Sequence, residues 1–109
     1  MATAYKILGQ VAPSATTETD LYLVPAATET IVSTIVVANR AATDATFRIT
    51  ISPDGAATAN SQYLAYDVSC GGNGINAFTF GITMNASDKI RVYASSANLT
   101  FSAFGTELS

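Results

Sequence analysis

The chain has 109 residues, of which 49% are apolar and only 12% charged, and its net charge is −3. That length is one domain at about 100–200 residues per domain, and the charged fraction is about half of the usual ~25%. Histidine is absent, cysteine occurs once and the five basic residues are scattered, which excludes His-based triads, zinc clusters, internal disulfides and a phosphate-binding stripe.

Residues 1–6 are not followed by a sustained apolar stretch, so no export signal is expected there; the first element is instead a strand over 4–9. A second strand is predicted over 20–24, closed by Pro25 and the two alanines after it. Residues 30–39 (TIVSTIVVAN) are apolar on both faces of a strand, which places them centrally in a sheet or under a neighbour. Residues 40–44 read as a hairpin turn into a strand over 45–52, where Phe47, Ile49 and Ile51 alternate with Thr46, Arg48 and Thr50. Ser52, Pro53, Asp54 and Gly55 form a strong turn, because Pro presets φ, Asp bonds its own backbone and Gly tolerates positive φ. A loop with room for one short helical turn covers 56–61, and strands follow over 62–68 and 75–82, separated by a flexible glycine-rich turn at 70–74. The last two strands, 89–95 and 99–107, alternate strictly and are bounded by turns at 85–88 and 95–98. About eight strands at this spacing predict an all-β fold, a single antiparallel β-sandwich of jelly-roll or immunoglobulin-like type spanning residues 1–109. No apolar run approaches the roughly 18 residues of a membrane span.

Few side chains here can do chemistry. Most of the eight carboxylates (Glu18, Asp20, Glu29, Asp44, Asp54, Asp67, Asp88 and Glu107) fall at turns, and no loop has calcium-binding DxDxDG spacing. Asp67 stands inside a strand, opposite in phase to Tyr66 and Val68; it either faces solvent or pairs with Arg48 or Arg91. Cys70 has no base or cation nearby in sequence to activate it. Asn85 and Asn98 begin N-x-[ST] triplets that read as turn chemistry. Three roles fit Tyr5, Tyr22, Tyr63, Tyr66 and Tyr93: core-edge rings with wet hydroxyls, anchors of a protein interface, or a platform for sugar rings. No enzyme activity, cofactor or metal is expected.

Low charge has a physical consequence for a small β protein. Edge strands expose unpaired backbone groups, and charged side chains are the usual deterrent to unwanted pairing. The first and last strands carry one charge each. Ala, Thr and Ser supply 44 of the 109 residues, and such side chains lose little entropy on burial. The composition therefore points to a surface covered by other subunits. The candidate contact residues are the aromatics Tyr22, Tyr63, Tyr66 and Tyr93, the arginines Arg40, Arg48 and Arg91, and the terminal segments, which could add a strand to a neighbour.

The ordered set of segments at 20–26 (DLYLVPA), 35–40 (IVVANR), 47–55 (FRITISPDG), 63–67 (YLAYD) and 90–107 (IRVYASSANLTFSAFGTE) resembles the small β-rich virion structural proteins of tailed bacteriophages, including phages of marine bacteria and cyanobacteria. The turn at 70–74 is richer in glycine than that pattern. The resemblance implies a non-enzymatic virion component, made in the cytoplasm of a bacterial host. Capsid decoration, as a cement protein bound to the major capsid protein or to its own copies, fits the size. A neck, tail or fibre-associated protein is the alternative within the virion, and a carbohydrate-binding host adhesin is the alternative outside the structural class. Neither nucleic acid nor membrane is an expected partner.

Overall fold

Eight strands form where β-branched and aromatic residues alternate with small polar ones: β1 (Thr3–Val11), β2 (Thr19–Leu23), β3 (Glu29–Asn39), β4 (Ala45–Ser52), β5 (Tyr63–Cys70), β6 (Ile75–Met84), β7 (Lys89–Ala94) and β8 (Leu99–Leu108). The computed structural model describes residues 2–109. The strands form two four-stranded antiparallel sheets, β1-β8-β3-β6 (sheet 1) and β2-β7-β4-β5 (sheet 2). First pairs with last, second with seventh, third with sixth and fourth with fifth. That is the pattern of one long hairpin rolled onto itself, so the sandwich is a jelly roll.

The predicted strands all exist, but one predicted connection is wrong. Residues 40–44 do not close a hairpin, because β3 and β4 lie in different sheets. They form a corner between the layers. The buried Asn39 side chain holds it by donating to Thr43 O (2.8 Å) and Cys70 O (3.1 Å) and accepting from Ala41 N (3.0 Å). The helical turn expected within 56–61 is met in part, by a single 3-10 turn at Asn60–Gln62 that begins inside that stretch, and a second, unexpected 3-10 turn occurs at Pro53–Gly55. The predicted turn at residues 52–55 is present, with Asp54 and Gly55 both at positive φ (57° and 67°).

The glycine-rich turn is a packed joint. Cys70 ends β5 inside the core. Asn73 N donates to Ala41 O (2.7 Å), and Gly72 N donates to the Asp44 carboxylate (3.0 Å). A Cβ on Gly72 would sit 2.1 Å from Ala42 O, while one on Gly71 would meet nothing closer than 4.0 Å. Gly72→Ala is therefore expected to lower the unfolding free energy by about 1–3 kcal/mol through overpacking, and Gly71→Ala to change it far less. Urea denaturation of the pair checks this.

Inward side chains from both sheets form one core, including Phe47, Ile49, Ile90, Val92, Val32, Ile35, Val37, Leu99 and Phe101. The Phe47 ring lies 5.9 Å from Phe78 and 6.0 Å, edge-on, from Phe101, tying sheet 2 to sheet 1. β3 is central in its sheet, as predicted, but only its inward face is covered; Ile31 is 42% exposed. An extra residue at Ser33 explains the two-faced look of its sequence. Val32 pairs with Gly105 and Thr34 with Phe104, so Ser33 bulges out and the inward phase moves from Thr30 and Val32 to Ile35 and Val37. Leu8 on β1 is an extra residue at the same level of the sheet, and β6 answers Ser33 with two residues, Phe80 and Gly81, the latter at φ 67°.

Candidate interaction surfaces

The two outward faces of the sandwich differ in chemistry. On sheet 2, Arg48 of β4 projects outward beside an irregularity in β5. Phe47 pairs with Val68 and Ile49 with Ala65, so Tyr66 and Asp67 both stand opposite Arg48. Asp67 sits at φ 51°, a left-handed conformation that Asp tolerates better than most residues. The expected opposite phasing of Asp67 and Tyr66 is thus overturned: both are exposed alongside Arg48. Arg48 donates from Nε to Asp67 Oδ1 (2.7 Å) and from Nη2 to Oδ2 (3.3 Å). Its guanidinium also lies over the rings of Tyr66 (4.2 Å) and Tyr93 (4.5 Å). Tyr63 meets Tyr66 edge-on, with centroids 4.8 Å apart and planes at 88°.

Of the predicted contact residues, Tyr63, Tyr66, Tyr93, Arg48 and Arg91 share this face, whereas Tyr22 and Arg40 do not. Arg91 is spent internally: it donates to Asp20, Ser52 Oγ, Ala56 O and Gly55 O, fastening the 3-10 turn at Pro53–Gly55 to the sheet. It is not an available contact residue, because its donors are occupied and its side chain is only 13% exposed. Arg40 lies at the β3–β4 corner, where Nη2 donates to Ala97 O (2.7 Å). Beside the cluster, Asp20 receives Lys89 (3.1 Å) and Arg91 (3.2 Å). Burial opposes its charge, but the hydrogen bonds from Lys89 and Arg91 outweigh that and hold its pKa below the ordinary value. A small, partly open cavity of about 30 Å³ among Glu18, Arg48, Tyr63 and Tyr93 is large enough to admit water and too small for a larger ligand.

Tyr22 is a correction. The expectation was an exposed aromatic; the ring is 7% exposed, because a register shift between Asp20 and Tyr22 turns it inward beside Leu21. Its hydroxyl bonds Thr30 Oγ1 (2.7 Å) and donates to Glu107 Oε2 (2.5 Å), while Lys6 Nζ reaches Glu107 Oε1 (2.9 Å). Hydrogen bonds from Tyr22 and Lys6 hold the Glu107 pKa below its ordinary 4.5. Burial, with Glu107 adjoining, pushes the Tyr22 pKa up to about 12. The sign follows from linkage: Glu107 and Asp20 contribute stability above about pH 4.5 that is lost as pH falls through their depressed values, and Tyr22 contributes stability below about pH 10 that is lost toward pH 12. Tyr22→Phe is expected to cost about 1–2 kcal/mol at pH 7 and to flatten both the acid and the alkaline limb. Urea denaturation across pH 3–11 measures it.

Several of the remaining polar groups are also committed to structure. Asp88 accepts from Asp54 N (2.8 Å) and Asn85 N (2.9 Å), and Glu18 accepts from Thr58 Oγ1 (2.7 Å). Asn85 accepts from Ala86 N (3.0 Å), and Asn98 N donates to Ser96 Oγ (3.0 Å), both ordinary turn bonds. Cys70 is buried, and burial together with Asp44 raises its thiol pKa. Among the described residues no group of three or more acidic or cysteine side chains could hold a metal ion, and no buried side-chain nitrogen or oxygen lacks a partner.

Sheet 1 presents the opposite chemistry outward, and sequence reading alone missed it as a surface. Tyr5, Thr106, Ile31 and Thr83 form one row across all four strands. Ile7, Phe104, Thr34 and Thr79 form the next, and Gln10, Ser102, Val36 and Ala77 a third. These rows contain no charge; Glu29 stands beyond them, at the start of β3. Tyr5 is 84% exposed and Ile7 54%. An open hollow of about 380 Å³ at one end, lined by Gln10, Val11, Ala12, Thr100, Phe101 and Ser102, has no titratable side chain. The chain matches no protein-family model and no curated protein.

Proposed function

We propose that the protein is a non-enzymatic structural component of a tailed-phage virion, acting as a capsid decoration protein that packs the outward face of sheet 1 against the shell. The observation that carries this reading is the uncharged four-strand face. A face with no charge over three full rows departs from the charged, mixed surface that keeps an isolated domain soluble, and on sheet 2 the cations are largely paired within the chain. The virion assignment is supported by the resemblance of the ordered segments to small phage structural proteins. Jelly rolls serve in viral capsid and lectin domains alike, so the fold itself does not choose between them.

The mechanism is mechanical. Each copy contributes one docked face of ordinary interface size, about 800 Å² per partner, and many copies add their contacts over a shell. The carbohydrate-binding reading needs two coplanar, open tyrosine rings. Tyr63 and Tyr66 are instead perpendicular, and Arg48 covers one face of both Tyr66 and Tyr93.

Electron microscopy of whole particles, with and without the protein, tests the proposal. Density for the protein on the shell, with loss of resistance to heat and low salt when it is missing, is the expected result. Density confined to neck, tail or fibre moves the partner; particles that withstand both stresses equally well without it overturn the cement role.

A further inference from the structure

The sandwich has four edge strands, and three are protected in the ways natural sheets use. β1 carries Lys6 and an extra residue at Leu8. β2 is only five residues long and carries Asp20. β5 carries Asp67 and two register breaks. β6 is ten residues long with neither a charge nor a proline, and its irregularity at Phe80 and Gly81 leaves residues 75–79 regular.

The inward side of β6 is also incompletely covered. Val32, Ile35 and Val37 on neighbouring β3 are fully buried, whereas Asn76, Phe78, Phe80 and Ile82 are only half-buried. The Phe78 and Phe80 rings stack, 5.4 Å apart at 18°. An unpaired backbone edge and an open aromatic seam therefore coincide on one side of the molecule.

The chemistry of that edge defines its occupant. It must be an extended strand, to satisfy the free backbone groups. It must bring no charge, and it must place apolar side chains at every second position to cover the two phenylalanines. β6 of another copy meets all three requirements. We infer that β6 pairs antiparallel with β6 of a second copy about a two-fold axis, joining two sheets 1 into one continuous eight-stranded sheet. A two-fold pairing of β1, β2 or β5 would instead bring Lys6, Asp20 or Asp67 toward its own twin. The dimer closes both aromatic seams and doubles the width of the uncharged face. It does not depend on the virion reading.

Sedimentation velocity of the full chain over a wide concentration range, with cross-linking by a short bis-maleimide, tests the inference. Cys70 is buried and does not compete. The expected result is a reversible dimer that cross-links through Ala77→Cys and not through Tyr5→Cys on β1. Thr79→Lys, at an exposed edge position, is expected to weaken the dimer about tenfold or more by opposing like charges, with an unchanged circular dichroism spectrum. A wild-type protein monomeric throughout, a dimer linked through Tyr5→Cys instead of Ala77→Cys, or a folded Thr79→Lys protein that dimerises as before overturns it. None of these outcomes bears on whether the protein is found on a shell.

Discussion

Val36→Glu is expected to disrupt the proposed docking of sheet 1 on a capsid shell while leaving the protein folded. Val36 lies in the middle of an uncharged row, between Ser102 of β8 and Ala77 of β6. A carboxylate there is harmless in the free protein, since the side chain points outward, and the loss of β-propensity is at most about 1 kcal/mol. In a packed contact the same group must be desolvated opposite a surface that offers no cation on its own side. Central interface positions cost about 2–4 kcal/mol when spoiled, so binding to stripped particles is expected to weaken roughly 30- to 1,000-fold. Tyr66→Ala, on the opposite face and 56% exposed, is expected to leave that binding intact. A titration of particles with the three proteins decides which face docks. Release by Tyr66→Ala and not by Val36→Glu assigns docking to the tyrosine–arginine face.

The contrast between the faces shows what sequence alone can report. Apolar and β-branched runs between turn residues located all eight strands, and strict alternation marked those at 45–52, 89–95 and 99–107, because an inward apolar side chain every second residue is a requirement of a two-layer core. Alternation failed where a strand gains a residue. Ser33 shifts the inward phase of β3, and the run 30–39 then looks apolar on both sides. The irregularity at Tyr66 and Asp67 puts two neighbours on one face, and the register shift beside Tyr22 buries a ring that local sequence could not place. The corner at 40–44 looked like a hairpin because turn residues mark where a chain bends, not which sheet it enters. Low charge was legible as a count, but its concentration on sheet 1 depended on strand order. The Arg48–Asp67 pairing was among the alternatives the sequence offered; the stacking of Tyr66 and Tyr93 on the same guanidinium required the fold.

Phe47→Ala carries the largest expected cost in stability. The ring is fully buried and touches Phe78 and Phe101 across the gap between the sheets. Truncation removes about 3–5 kcal/mol, as lost transfer energy plus an unfilled cavity. A domain of this size holds roughly 5–15 kcal/mol in total. The midpoint of thermal unfolding is expected to fall by roughly 12–40 °C, at about 4–8 °C per kcal/mol for domains near this length. Phe78→Ala is the informative comparison. Its ring shares the contact with Phe47 but is half-buried at the open seam, so in dilute protein its loss is expected to cost only about 1–2 kcal/mol. If β6 pairs with its twin, that cost grows with protein concentration, because association stabilises the folded state by mass action and the Phe78 variant loses part of it. Urea denaturation of both variants at two widely separated concentrations distinguishes a side chain that holds the layers together from one that also seals the edge.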